Sequence, residues 1–184
     1  MTLRAFALAL VLAHVPAAHA EPRQADHSDG RLEFSAVQAG AMFTGTFTRF
    51  RVALDFDPAR PASGSLDVTV DVASIDTQDP ERDEILRGPD FFKAAEHPQA
   101  VFHAGRFERA GDGWRAPGDL TIRGVTRPVP VMFTLAPGTG ASVMKGSANL
   151  RRLAFGLGQG EWASTEWVGD EVAIRFELRL KPVG

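Results

Sequence analysis

Val172-Ala173-Ile174-Arg175-Phe176-Glu177-Leu178-Arg179-Leu180-Lys181 alternates larger apolar residues with small or charged ones without a break. A period of two puts Val172, Ile174, Phe176, Leu178 and Leu180 on one face of an extended strand and the charged side chains on the other. The pattern recurs earlier in the chain. Leu66, Val68, Val70 and Val72 alternate with Asp67, Thr69, Asp71 and Ala73. Val129, Val131, Phe133 and Leu135 form a further run, and so do Phe50, Val52, Leu54 and Phe56. Before the latter lies Phe43-Thr44-Gly45-Thr46-Phe47, where a glycine inside a strand marks the bend or bulge that a barrel corner needs. Turn signals at Asp57-Pro58, 61–64, Gly111-Asp112-Gly113 and 137–140 separate the runs. Strands punctuated in this way along most of the chain predict an all-β antiparallel sandwich or barrel, here one domain over 31–184.

The N-terminal residues read differently. Arg4 precedes an apolar stretch from Ala5 to Val15, and Ala18-His19-Ala20 has small residues where a signal peptidase reads. A signal peptide over 1–20, cut before Glu21, is expected. The apolar run is too short for a spanning helix, which needs about 20 apolar residues. No Cys stands at the cut to carry a lipid anchor. The polar segment 21–30 reads as a flexible arm.

Without the leader the chain carries 19 basic and 23 acidic residues. That balance gives no sign of nucleic-acid binding. The cysteine count of 0 removes thiol catalysis, Cys-ligated zinc and c-type haem attachment. His97 and His103 are separated and make no compact metal cluster. No carboxylate pair stands out for acid–base work, and no serine sits in a G-x-S-x-G setting. Gly156-Leu157-Gly158-Gln159-Gly160 lacks the Lys and the following helix of a phosphate loop, so it reads as a strand connection. No catalytic or metal-ligating residue is assigned.

One stretch departs from the period of two. Between Ile75-Asp76-Thr77 and His97-Pro98-Gln99-Ala100-Val101-Phe102 lies a polar and aromatic insert. Glu81-Arg82-Asp83-Glu84-Ile85-Leu86 reads as a short helix and Pro89-Asp90-Phe91-Phe92-Lys93 as a second turn, with Pro80 and Pro89 at helix starts. Asp79, Glu81 and Asp83 suit the free N–H groups of the first turn. Asp76, Arg82 and Asp83 form the polar part of the insert, read as a clamp that orients it or meets a ligand's head group.

These motifs resemble the YceI-like family, periplasmic lipocalin-like barrels that bind polyisoprenoid lipids. The likeness runs from about Arg31 to Lys181 in three ordered blocks. The first is the insert, with Ile75-Asp76-Thr77, Arg82-Asp83, Leu86, Phe91-Phe92, Pro98 and Phe102. The second is Gly118-Asp119-Leu120-Thr121-Ile122-Arg123-Gly124-Val125-Thr126-Arg127-Pro128-Val129. The third is Arg152 to Phe155-Gly156, continuing into Gly158, Trp162 and Val168-Gly169; Ala154 stands where the family often has an acid. The resemblance implies a lipocalin-like barrel of about eight strands, wide enough to hold one slender ligand. It also implies a periplasmic location and a bound polyisoprenoid or isoprenoid quinone as the only ligand or cofactor. A transient contact with a membrane or membrane protein is compatible with it. An accessory to chemistry on a bound quinone and a ligand-free interaction scaffold are the alternatives.

The composition suits a dry interior. Phe numbers 13 against Tyr 0 and Trp 3. A buried Tyr or Trp needs a polar partner, whereas Phe, Val, Leu and Ile do not. Phe43, Phe47, Phe50, Phe91, Phe92, Phe102 and Phe133 are the candidates for a prenyl-binding wall, and Ala104 is a small residue at which to narrow it. One five-carbon isoprene unit would gain roughly 4 kcal/mol on burial, at about 0.8 kcal/mol per CH₂. Five or six units would therefore pass the practical affinity ceiling of about 18–21 kcal/mol, so a longer tail must protrude or lose much to ordering.

Overall fold

The computed structural model describes residues 21–183. The expected leader, 1–20, lies outside the described residues. The strands are β1 (Arg23–Asp26), β2 (Gly30–Gln38), β3 (Ala41–Phe47), β4 (Phe50–Asp55), β5 (Ser65–Asp71) and β6 (Ile75–Asp76), followed by β7 (Gln99–Ala104), β8 (Glu108–Ala110), β9 (Gly113–Ile122), β10 (Val125–Ala136), β11 (Ser142–Arg151) and β12 (Glu171–Pro182). Among the described residues one α-helix, α1 (Pro80–Arg87), interrupts them between β6 and β7.

The strands make an antiparallel barrel of eight staves. Three staves are bent. β1 and β2 form one, broken at the short 3-10 turn His27–Asp29. β3 and β4 form the next, and β5 and β6 the third, the latter broken at Val72–Ser74. β7, β9, β10, β11 and β12 complete the circle. β12 pairs with β11 on one side and with both β1 and β2 on the other, and that last pairing closes the barrel.

The segment 21–30 is therefore not the loose arm expected from sequence. Arg23 pairs with both Leu54 and Pro182, and Lys181 meets Asp29 in an ion pair. With four residues and Ala25 alone buried, β1 is too short and polar to show a period of two.

Every alternating run keeps its parity. Phe50, Val52, Leu54 and Phe56 all face inward and are buried, as are Leu66, Val70, Val129, Val131, Phe133, Leu178 and Leu180. Glycines mark the bends. Gly45 pairs with Phe34, whose ring occupies the space a Cβ would need, with Cζ at 2.5 Å. Gly124 closes the two-residue hairpin between β9 and β10 at φ +74°, beside Arg123 at +52°. A Cβ at 124 would lie 3.3 Å from His97 Cε1. Gly124→Ala should cost about 1 kcal/mol or more through the left-handed backbone. Urea denaturation checks this, and an unchanged midpoint would contradict it.

The two ends of the barrel differ. At one end Phe56, Phe107, Trp114 and Phe133 interlock. Phe56 lies 4.8 Å from both the Phe107 and Trp114 rings, and Phe133 lies 5.7 Å from Phe56 and from Phe107, all edge-to-face. Such pairs add to burial because ring edges are positive and ring faces negative. This plug fills the base. The insert, the hairpin at 123–124 and the loop 152–170 gather at the other end, the mouth.

Candidate lipid-binding lumen and its mouth

Above the plug the barrel encloses a cavity of about 190 Å³. Its wall comes from inward positions of β2 to β7 and β9 to β12, from the insert and from the loop 152–170. Among the described residues Arg152 is the sole polar one lining it. An apolar cavity of about 150 Å³ already stays dry and accepts small hydrocarbons.

Arg152 is almost fully buried, yet its charge does not point to open space. Nε donates to the Gly169 carbonyl at 3.0 Å, Nη1 to Leu157 at 2.8 Å, and Nη2 to Ser164 at 3.2 Å and Val168 at 2.7 Å. Burial pushes its pKa below the ordinary arginine value, and the charge of Asp170 opposes that shift. The guanidinium remains a cation. One planar fork thus ties down the loop 157–169, whose apolar side roofs the lumen.

The insert forms the other half of the roof. Asp79 caps α1, its Oδ1 accepting from the Glu81 and Arg82 N–H groups at 3.2 Å. Arg87 donates to the Ala73 and Ile75 carbonyls, which fixes the helix to the end of its stave. Leu86, Phe91 and Phe92 then point into the lumen. The two halves meet along a seam. The Asp90 carbonyl accepts from the Gly158 N–H at 2.7 Å and the Gln159 N–H at 3.0 Å. Arg123 bridges the Phe91 and Gly156 carbonyls at 3.1 and 2.8 Å. The Phe91 and Trp162 rings pack at 5.8 Å.

Among the phenylalanines singled out from sequence, Phe43, Phe47, Phe50, Phe91, Phe92 and Phe102 line the lumen. Phe133 does not; it sits one level down in the plug. Ala104 is buried in the core but off the lumen wall, whereas Ala100 and Ala148 are on it. Asp76, Arg82 and Asp83 do not assemble into a single clamp. Asp83 accepts from the Thr77 N–H and hydroxyl at 2.9 and 2.7 Å and holds the start of the insert. Asp76 accepts from Gln78 in a local turn. Arg82 alone reaches the mouth, with its Cζ 4.6 Å over the Phe43 ring. His103 is exposed and pairs with Asp67 at 2.6 Å. No group of three or more potential ligands that could hold a metal exists among the described residues.

The YceI-like domain model matches residues 24–180. The chain belongs to the YceI-like family. The crystal structure of BcnA from Burkholderia cenocepacia is similar to it, with a TM-score of 0.80 and 35% identity over 84% of this chain and 98% of that one. Protein YceI of Escherichia coli O157:H7 is 42% identical over 46% of this chain and 44% of its own length. A UPF0312 protein of Yersinia pestis is 40% identical over 53% of this chain and 52% of its own. The chain thus spans about half the length of the curated relatives it matches. A polyisoprenoid binding domain from Saccharophagus degradans shares the fold, with a TM-score of 0.69, at 12% identity over 90% of this chain and all of that one.

Sequence reasoning passed over two features of the YceI-like lumen. Phe34 and Phe176 line it from β2 and β12, and strand parity alone marks them as inward. Arg152 stood within a recognised motif, but a charged residue there gives no sign that its partners are carbonyls up to 17 positions away. Ala154, where the family often has an acid, is exposed at the rim and does not face the lumen.

Proposed function

We propose that this YceI-like barrel binds one polyisoprenoid chain in its lumen and carries it in the periplasm, an isoprenoid quinone being one form of that ligand. The observation that supports the reading is an apolar lumen above a solid base, whose one cation among the described residues is turned wholly to backbone carbonyls. At about 24 cal/mol per Å³, leaving such a cavity empty costs on the order of 4–5 kcal/mol. An apolar tail offsets that cost, and a wall without spare donors offers nothing to a polar ligand. Export rests on the leader-like residues Arg4 to Ala20.

Native mass spectrometry of protein purified from its own cell envelope, followed by organic extraction, tests this. The spectrum should show a chain starting at Glu21 and one bound lipid built of five-carbon isoprene units. An empty barrel, or one filled with phospholipid, would refute the reading. Ala100→Leu and Ala148→Leu, which project into the lumen, should remove the lipid while changing stability little. In a packed core the same additions would cost about 1–3 kcal/mol.

A further inference from the structure

A second cavity, of about 160 Å³, lies between α1 and the strand ends at the mouth. Four residues, Phe43, Leu86, Phe91 and Val168, line both it and the lumen. Gln38, Asp79, Glu81 and Arg82 give the outer wall a polar character that the lumen lacks. The volume is several times the ~30 Å³ share of one water. An apolar lumen that shares walls with a polar chamber has the division an amphiphile needs.

We propose that this vestibule is the head-group subsite for a lipid whose tail fills the lumen, and that it accepts an uncharged, hydrogen-bond-accepting head and rejects a phosphorylated one. The proposal rests on the prenyl-tail reading above. Arg82 supplies the recognition. Its Nε donates to Gln38 Oε1 at 3.1 Å, and its Nη2 lies 3.1 Å from Asp79 Oδ2. Both Nη1 hydrogens are left without an acceptor among the described residues. The guanidinium lies over Phe43, one of the four shared wall residues, and Arg82 lines the chamber, so its charge stands where a head group leaves the lumen. A carbonyl or hydroxyl oxygen there gains a charge-assisted hydrogen bond.

The rejection comes from the balance of charge. Asp79 and Glu81 face the same chamber, and Arg82 is the sole cation among the described residues that line it. The vestibule therefore carries a formal net charge of about −1, with Arg82 already engaged by Asp79. A phosphate or diphosphate would bring further negative charge against Glu81 with no second cation to meet it. Discrimination by an unfavourable contact is as effective as discrimination by a favourable one.

The test is a native mass spectrometry competition on the delipidated mature chain. The probes are geranylgeraniol, a geranylgeranyl-tailed menaquinone and geranylgeranyl diphosphate, which share one tail, with squalene as the headless reference. The alcohol and the quinone should bind about tenfold better than the diphosphate. Relative to squalene, Arg82→Gln should lower the alcohol and the quinone by about tenfold, and Glu81→Lys should raise the diphosphate by a similar factor. Glu81→Gln, milder at a helix start, should give an intermediate shift; thermal unfolding confirms that each variant is folded. Equal binding of all three heads, a preference for the diphosphate, or ratios that no variant moves would overturn the vestibule assignment while squalene binding left the tail reading intact. Failure of squalene and every prenyl probe to bind would defeat the tail reading, and this inference with it.

Discussion

Arg152→Met should lower stability by about 3–5 kcal/mol and loosen the loop 157–169 ahead of the rest of the barrel. The size follows from what the side chain leaves behind. The hydrogen bonds to the Leu157 and Val168 carbonyls are buried, and each acceptor deprived of its donor costs about 1–3 kcal/mol. The bonds to Ser164 and Gly169 are nearer solvent, where water recovers part of the loss. Methionine keeps the apolar stem against the lumen, so the cost isolates the fork. Arg152→Lys is the sharper variant. It keeps the charge, but one ammonium cannot reach four carbonyls placed around a plane. It should therefore resemble methionine more than arginine. Hydrogen exchange gives the local readout. The Gly158 and Gln159 amides, which donate to Asp90 across the seam, should exchange faster in both variants while the β10–β11 amides change little. Wild-type stability for the lysine variant would mean that charge, not geometry, holds the roof.

The strands could be read from sequence because a half-buried strand writes its orientation into every second residue. Phe50 to Phe56, Leu66 to Val72 and Val172 to Leu180 all face the side their parity indicates. The insert was readable for another reason. Asp79 and Pro80 mark a helix start whatever the tertiary context, and α1 begins there. What parity cannot show is depth. Phe43 and Phe133 both point inward from staves that run the same way, from mouth to base, yet Phe43 stands near the start of its stave and Phe133 near the end, and which end is the mouth is set by the pairing of strands and the loops gathered there. The closing strand β1 and the buried fork of Arg152 share that limit. Each is defined by partners far away in the chain, and neither has a local pattern of its own. The clamp read from Asp76, Arg82 and Asp83 came apart likewise, since neighbours in sequence at a strand-to-helix corner face three directions.

Phe133→Ala and Phe43→Ala should separate the two levels of the barrel. Phe133 is buried and contacts Phe56 and Phe107 edge-to-face, so truncation removes a fully packed ring and leaves a hole that its neighbours cannot fill. Buried Phe→Ala changes cost about 3–5 kcal/mol. The lumen lies above this level, so each folded molecule should still carry its lipid. Phe43 is half-buried at the mouth, packed edge-on against Phe34 at 6.1 Å and covered by Arg82. Its truncation should cost less than about 2 kcal/mol, because the ring is only partly buried and borders a cavity rather than a packed core. Yet it removes a wall shared by the lumen and the vestibule, and lipid per folded molecule should fall. Urea unfolding and lipid extraction on the same preparations give both numbers. Two outcomes would count against this division. Lipid lost with Phe133→Ala at a denaturant concentration where the barrel remains folded would place the base within the binding site. Lipid fully retained with Phe43→Ala would mean that the tail does not pass the mouth at that wall, and that entry lies elsewhere along the seam between Asp90 and Gly158.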